Sequence, residues 1–175
     1  FKAQKPTHYL ILSGDQLYRM DLRAFFENHL KSKADISIAT TAVDRATASS
    51  LGIMKIDERN RVQEFCEKPA IDKDLSGWKI PEESRHSIPK EKEYLASMGI
   101  YCFNAKTLEE LLDNDYKDFG KEVIPKSTKK AKIKAYIFDG YWEDIGTIKS
   151  FYEANIKLTR ISPEFNFYDE DEPIY

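Results

Sequence analysis

The chain has 175 residues, 27 Lys+Arg against 30 Asp+Glu, a formal charge of −3, and is 41% hydrophobic and 13% aromatic. Such a length is one domain or a piece of one, able to bury roughly 70% of the surface its unfolded form exposes, and the composition excludes global disorder. The near balance of charge gives no electrostatic case for nucleic acid or an anionic membrane, and no apolar run approaches the roughly 18 residues of a membrane span. Two distant cysteines, Cys66 and Cys102, exclude a disulfide scaffold and a zinc ribbon and fit a reducing compartment. A soluble intracellular α/β protein is expected.

Tyr9–Leu12 is a continuous apolar run ended by Ser13-Gly14-Asp15. It reads as a strand buried on both faces, with an acid where the strand stops. Asp21 is the expected N-cap of a helix that carries Leu22, Phe25, Phe26 and His29–Leu30 at helical spacing. Ile36–Val43 is a second strand, rich in β-branched residues. Strand, helix, strand predicts a βαβ unit with parallel strands and a right-handed crossover. Residues 52–57 and 61–66 flank the short polar stretch Glu58-Arg59-Asn60, which predicts a hairpin and makes the sheet mixed. Residues 70–93 read as a long irregular loop, charged and carrying Gly77, Pro81 and Pro89.

Beyond that loop the pattern predicts a strand at Tyr94–Phe103 and a short helix at Lys106–Asp115. A helical turn at Phe119–Pro125 is expected to end near its proline. Lys132–Phe138 alternates polar and apolar, as a half-exposed strand does. Gly140–Gly146 reads as a loop, and Thr147 as the cap of an amphipathic helix running to about Thr159. Phe151 and Tyr152 of that helix are expected in the core. The tail from Glu164 to Tyr175 is acidic and aromatic, and no internal repeat is present.

Three stretches could carry chemistry. After the first strand, Gly14 lets backbone approach a ligand and Asp15 can hold a hard cation such as Mg²⁺ through oxygen, although Gly and Asp also end strands as plain turn residues. After the last strand, Gly140–Gly146 sets two aromatics and two acids between glycines. Ligands of open α/β sheets bind beyond the carboxyl ends of strands, so Asp15 and Asp144 are expected at neighbouring strand ends, sharing one metal. Glu143, next in sequence to Asp144, should point the other way. Glu67-Lys68-Pro69 closes the hairpin with a lysine able to bind phosphate as a point charge, or with an ordinary solvated ion pair. His8, His29 and His86 share no ligand spacing, which argues against zinc. The seven glycines, at 14, 52, 77, 99, 120, 140 and 146, form no phosphate-cradling loop.

The stretches SGDQLYRMD (13–21), FCEKP (65–69), ASMGIY (96–101), DFGKEVIP (118–125), GYWEDIGT (140–147), Phe151–Asn155 and Pro173–Tyr175 occur in this order. Together they resemble the glucose-1-phosphate adenylyltransferase (ADP-glucose pyrophosphorylase) family of glycogen and starch synthesis, across nearly the whole chain except residues 70–93. The resemblance implies a Rossmann-like mixed α/β sheet of the sugar nucleotidyltransferase (GT-A-like) type. It also implies ATP and glucose 1-phosphate as substrates, ADP-glucose and pyrophosphate as products, and Mg²⁺ as cofactor. By the same resemblance Asp15 is the catalytic, metal-binding aspartate and Asp144 its partner on that metal. Lys68 holds the phosphate of glucose 1-phosphate, Glu67 lies against glucose hydroxyls, and Ser97, Tyr101, Asp118, Phe119 and Trp142 line the rest of the sugar pocket.

That family carries a glycine-rich loop before this stretch and a β-helix domain after it. Residues 1–175 are therefore expected to be a partial catalytic domain, lacking the first strand and inactive alone, with residues 70–93 as its variable loop. The parent enzyme is expected to be a homo- or heterotetramer in the cytoplasm, or in the plastid of a plant. Two other readings remain open: another sugar-1-phosphate nucleotidyltransferase, and a non-catalytic regulatory subunit that binds sugar phosphate. The presence of Asp15, Lys68 and Asp144 disfavours the second.

Overall fold

The computed structural model describes residues 5–85, 87–113, 115–116 and 118–167, so His86 and the end of the acidic tail lie outside the described residues. The strands are β1 (His8–Ile11), β2 (Gln16–Tyr18), β3 (Ile36–Val43), β4 (Gly52–Ile56), β5 (Val62–Glu67), β6 (Tyr94–Asn104), β7 (Ile133–Ile137) and β8 (Trp142–Asp144). The α-helices are α1 (Leu22–Ser32), α2 (Arg45–Ala48), α3 (Ala105–Leu111), α4 (Ile124–Ser127) and α5 (Ile148–Leu158). They fall into two compact units. The first holds the described residues up to Leu12 and Asp21–Asp139, and the second holds Ser13–Met20 and the described residues from Gly140 onward.

The first unit is built on a six-stranded mixed sheet in the order β5-β4-β6-β3-β7, with β1 also paired to β6. The α/β class and mixed sheet are those expected from sequence. β3 and β7 run parallel, while β6 runs antiparallel to β1, β3 and β4. β1 and β3 thus point the same way, as a strand–helix–strand unit requires, but β6 lies between them and they share no hydrogen bond. β1 is not buried on both faces either: Leu10 and Leu12, just beyond its end, are 41% and 43% exposed. Its apolar run packs through Tyr9 and Ile11 only, which is the alternation of a half-buried strand.

Ile36, Ile38, Met54, Leu95, Phe103, Ile124 and Ile133 make one continuous core on this sheet. Each such side chain stabilises the fold by about 1.5–3 kcal/mol through burial. Local signals place the elements around it. The Asp21 carboxylate accepts hydrogen bonds from Arg23 N and Ala24 N and starts α1. The hairpin turn does a second job: Ala135 N of edge strand β7 donates to Asn60 O at 2.9 Å, and Lys134 Nζ donates to Arg59 O. Part of the open edge of β7 is thereby paired. Within residues 70–93, buried Leu75 and Ile80 anchor the chain, and Ile80 N donates to Glu93 O. The irregular stretch is thus tied to the core.

The turn at residues 119–125 differs from expectation. A π-helix at Phe119–Val123 runs directly into α4, and Pro125 sits in the first turn of α4 instead of ending the helix. A proline is tolerated there because first-turn N–H groups lack intrahelical partners in any case. The wide π-turn makes this possible, with Val123 N bonded back to Asp118 O.

His29 ties α1 to the sheet. Its Nδ1 lies 2.8 Å from Ser37 Oγ and its Nε2 3.1 Å from Asn104 Oδ1. Asn104 Nδ2 donates to Ala34 O, which leaves Oδ1 as the acceptor for an N–H at His29 Nε2. Burial holds the His29 pKa below its ordinary value, and nearby His8 pushes it the same way, while the Asn104 hydrogen bond and Asp35 oppose the shift. The unfolded chain therefore takes up this proton more readily. The stabilisation is complete above the unfolded value near 6.5 and is lost as pH falls below it. Urea midpoints should drop between pH 7.5 and 5.5, and less so in His29→Gln. An equal drop in both proteins would contradict this role.

The second unit is smaller. β2 and β8 pair antiparallel as a two-stranded ribbon, with Gln16 opposite Asp144 and Tyr18 opposite Trp142. The stretch expected as a loop, Gly140–Gly146, thus contains a strand. Thr147 caps α5 through a capping box with Ser150. The helix buries Ala154, whereas Phe151 is 55% and Tyr152 64% exposed, so the expected core contacts are not made. Ile148, Phe151, Tyr152 and Ile156 are exposed on one broad flank of the helix, away from Ala154. Among the described residues no helix is long and apolar enough to cross a membrane.

Candidate functional site

The sequence-predicted residues fall into two groups, one in each unit. In the second unit the β2–β8 register does the positioning. Asp15 immediately precedes β2 and Asp144 ends β8, and Ile145 N donates to Asp15 O at 3.1 Å. The two acids therefore do not sit at carboxyl ends of neighbouring strands in the large sheet, as the sequence suggested. They flank one end of a separate antiparallel ribbon. Ser13 Oγ donates to Asp15 Oδ1 at 2.7 Å, and Gly146 N donates to Asp144 Oδ1 at 2.8 Å. A Cβ on Gly146 would lie 2.9 Å from Asp15 Oδ2 and 3.0 Å from Asp144 Oδ1. Both carboxylates thus face one small space, kept open because residue 146 has no side chain.

Strand alternation sends the neighbouring acid away from that space. Glu143 accepts from Tyr141 OH and, at 2.6 Å, from Lys157 Nζ, so its charge is spent inside the unit. Trp142 Nε1 donates to Gln16 Oε1 at 3.1 Å, which fixes the indole across the ribbon. No group of three or more His, Cys, Asp or Glu side chains among the described residues could hold a metal ion. A pair of carboxylates suits Mg²⁺, which takes one or two protein carboxylates and completes its shell with water and substrate phosphate.

In the first unit, Glu67, Lys68, Ser97, Tyr101, Asp118 and Phe119 come from three segments: the end of β5, the irregular middle of β6 and the π-turn. The β3–β6 register shifts between Ile38 and Thr40, and Gly99 has φ 68°, a left-handed backbone that glycine adopts without strain. This bulge brings Ser97 Oγ within 3.4 Å of Tyr101 OH, and Gly99 N donates to Ser97 Oγ. The Tyr101 ring stacks on Phe119, with centroids 5.8 Å apart. Asp118 caps the π-turn by accepting from Lys121 N at 2.8 Å. Burial raises the Tyr101 pKa, and the charges of Glu67 and Asp118 raise it further against the Ser97 hydrogen bond.

Glu67 is the group left wanting. It is partly buried, yet among the described residues no hydrogen bond or ion pair reaches its carboxylate. Burial raises its pKa, as does Asp118, while Lys68 and Lys121 oppose the shift. A partly dehydrated acceptor without a donor is suited to a ligand that brings hydroxyl groups. Lys68, exposed beside it, has φ 43°, a left-handed conformation that costs a non-glycine residue about 1–2 kcal/mol. Lys68→Gly should therefore be more stable than Lys68→Ala by about 1 kcal/mol in urea unfolding. Equal stabilities would show that the backbone there relaxes without strain.

A hollow of about 580 Å³ lies elsewhere in the first unit, lined by Asn28, Arg59, Glu83, Lys134 and Tyr136 among others. It contains none of the sequence-predicted residues and mixes charges of both signs. What sequence reasoning missed are the glycines that make room: Gly146 beside the two aspartates, and Gly52 and Gly120 beside Glu67. Gly146 and Gly120 each lie two residues from a candidate acid and Gly52 lies across the hairpin from Glu67, but the space they leave open depends on where the carboxylates sit. The family model described as nucleotidyl transferase matches residues 1–161, and the chain belongs to the nucleotidyl transferase family.

Proposed function

We propose that this chain is part of the catalytic domain of a glucose-1-phosphate adenylyltransferase, joining ATP and glucose 1-phosphate into ADP-glucose and pyrophosphate. The observation that carries the reading is the convergence of Asp15 and Asp144 on one small space, in a member of the nucleotidyl transferase family. Glu67 and Lys68 supply the complementary chemistry, an acceptor for sugar hydroxyls beside a cation for the sugar's phosphate. The adenylyl and glucosyl assignments rest on the family resemblance of the sequence stretches. So do the remaining pocket roles of Ser97, Tyr101, Asp118, Phe119 and Trp142, the tetrameric parent enzyme and its cytoplasmic or plastid location.

In this reaction an oxygen of the sugar phosphate attacks the α-phosphorus of the nucleotide. A new P–O bond forms as the bond to the β-phosphate oxygen breaks, and that electron pair leaves with pyrophosphate. No covalent intermediate on the enzyme is needed, so the chain's contribution is positioning and charge. Lys68 holds the attacking phosphate and Glu67 orients the ring. Asp15 and Asp144 would hold Mg²⁺, which when bound neutralises charge on the phosphates. The test is pyrophosphate release by the intact protein with glucose 1-phosphate and each of ATP, UTP, dTTP and GTP. Preference for ATP is expected. Preference for another nucleotide would leave sugar nucleotidyl transfer standing and overturn the adenylyl assignment.

A further inference from the structure

The Glu67 carboxylate sits against two glycines from different elements. Gly52 of β4 lies directly opposite Glu67 in the hairpin register. A Cβ on Gly52 would stand 2.7 Å from Glu67 Oε2, and a Cβ on Gly120 of the π-turn would stand 2.8 Å from the same oxygen and 3.2 Å from Cδ. Carbon and oxygen do not approach so closely without repulsion, so either side chain would push the carboxylate out. Neither glycine is needed by its backbone, because among the glycines only Gly99 has a positive φ. Space is what these two positions supply, and one side-chain oxygen uses it.

We infer that Gly120 and Gly52 are positioning residues for substrate binding, acting through Glu67: together they form a slot that holds Oε2 where a sugar hydroxyl is recognised. The inference rests on the proposed sugar-binding role of Glu67 and goes beyond it, since it assigns function to residues that offer no side chain. Gly120 is the cleaner probe. The three atoms nearest its absent Cβ are Oε2 and Cδ of Glu67 and, at 3.5 Å, Asp118 Oδ1, so its one close contact is the movable Glu67 tip, whereas a Cβ on Gly52 would also strike the Phe65 ring at 2.5 Å. The tip of a glutamate can swing aside, so Gly120→Ala should fold and displace Glu67 without disturbing the core.

The experiment is steady-state kinetics of the intact enzyme in a double-mutant cycle. Gly120→Ala should raise KM for glucose 1-phosphate roughly tenfold or more and leave KM for ATP within about twofold. In a Glu67→Ala background the same substitution should add less than about twofold, because the group it displaces is gone. Gly52→Ala combined with Phe65→Leu, approaching the oxygen through the other glycine, should repeat the pattern and serves if Gly120→Ala does not fold. An unchanged KM in Gly120→Ala, or effects that add fully to Glu67→Ala, would overturn this inference alone. An unchanged KM in Glu67→Ala itself would overturn the sugar-site reading and the inference with it.

Discussion

Asp144→Asn in the intact enzyme should lower kcat about a thousandfold, with the protein still folded. The substitution keeps the shape of the side chain and removes its charge. Asp144 Oδ1 and Asp15 Oδ2 both lie within about 3 Å of the point where a Gly146 side chain would be. Two anions so placed repel each other unless a cation sits with them, and among the described residues no Lys or Arg pairs with either carboxylate. On the proposed reading, losing one charge would leave a weaker site for a cation that neutralises the phosphates, a loss of about 4 kcal/mol in the transition state. Asp15→Asn should behave alike, and Mn²⁺ binding followed by electron paramagnetic resonance should weaken in both. Glu143→Gln is the control, since Glu143 is taken up by Tyr141 and Lys157. It should affect stability more than metal binding. If Glu143→Gln abolishes Mn²⁺ binding and Asp144→Asn does not, the assignment of the acids is reversed.

The second large effect concerns Lys68. Lys68→Ala should raise KM for glucose 1-phosphate by about 30- to 150-fold, corresponding to the 2–3 kcal/mol of a charge-assisted hydrogen bond to phosphate. KM for ATP should stay nearly constant. On the proposed reading the contact is made alike in the ground state and the transition state, so kcat should change little. Lys68 also pays for its place with left-handed backbone. Lys68 N donates to Leu51 O at 3.0 Å, and that bond at the end of the hairpin helps hold the conformation. Equal effects on the two substrates would contradict the assignment to the sugar phosphate.

Much of the first unit could be read in the sequence because its signals are local. The Asp21 cap, the β-branched run of β3, the polar turn between β4 and β5 and the alternation of β7 each state their own structure within a few residues. Pairing is different. Which strand lies between β1 and β3 depends on contacts with β6, some ninety positions from β1, and no local period encodes that. The same limit explains the ribbon. β8 is three residues long and exists only because β2 pairs with it across more than a hundred positions, so a loop was the natural expectation. Phe151 and Tyr152 were expected in the core because aromatic residues on an amphipathic helix usually face one. Which face of α5 is covered is a property of its neighbours.

The candidate site divides along the same line. Asp15, Lys68 and Asp144 stand out as charged residues beside turn formers, and the opposite orientation of Glu143 follows from strand alternation alone. Ser97 and Asp118 do not announce themselves. Ser97 owes its position to the bulge in β6, and Asp118 looks like any polar residue before a helix until its cap bond is seen. The three glycines were hidden for another reason. Their contribution is empty space beside a carboxylate, which becomes visible only once the carboxylate has coordinates.

Isotope transfer reads the proposed chemistry most directly. Glucose 1-phosphate carrying ¹⁸O in its non-bridging phosphate oxygens is turned over with unlabelled ATP, and the products are resolved by ³¹P NMR isotope shifts. The account predicts that the label remains in ADP-glucose, with one ¹⁸O at the bridge between the two phosphorus atoms, and that pyrophosphate is unlabelled. Label in pyrophosphate, or in free orthophosphate, would mean that the sugar phosphate is not the attacking group.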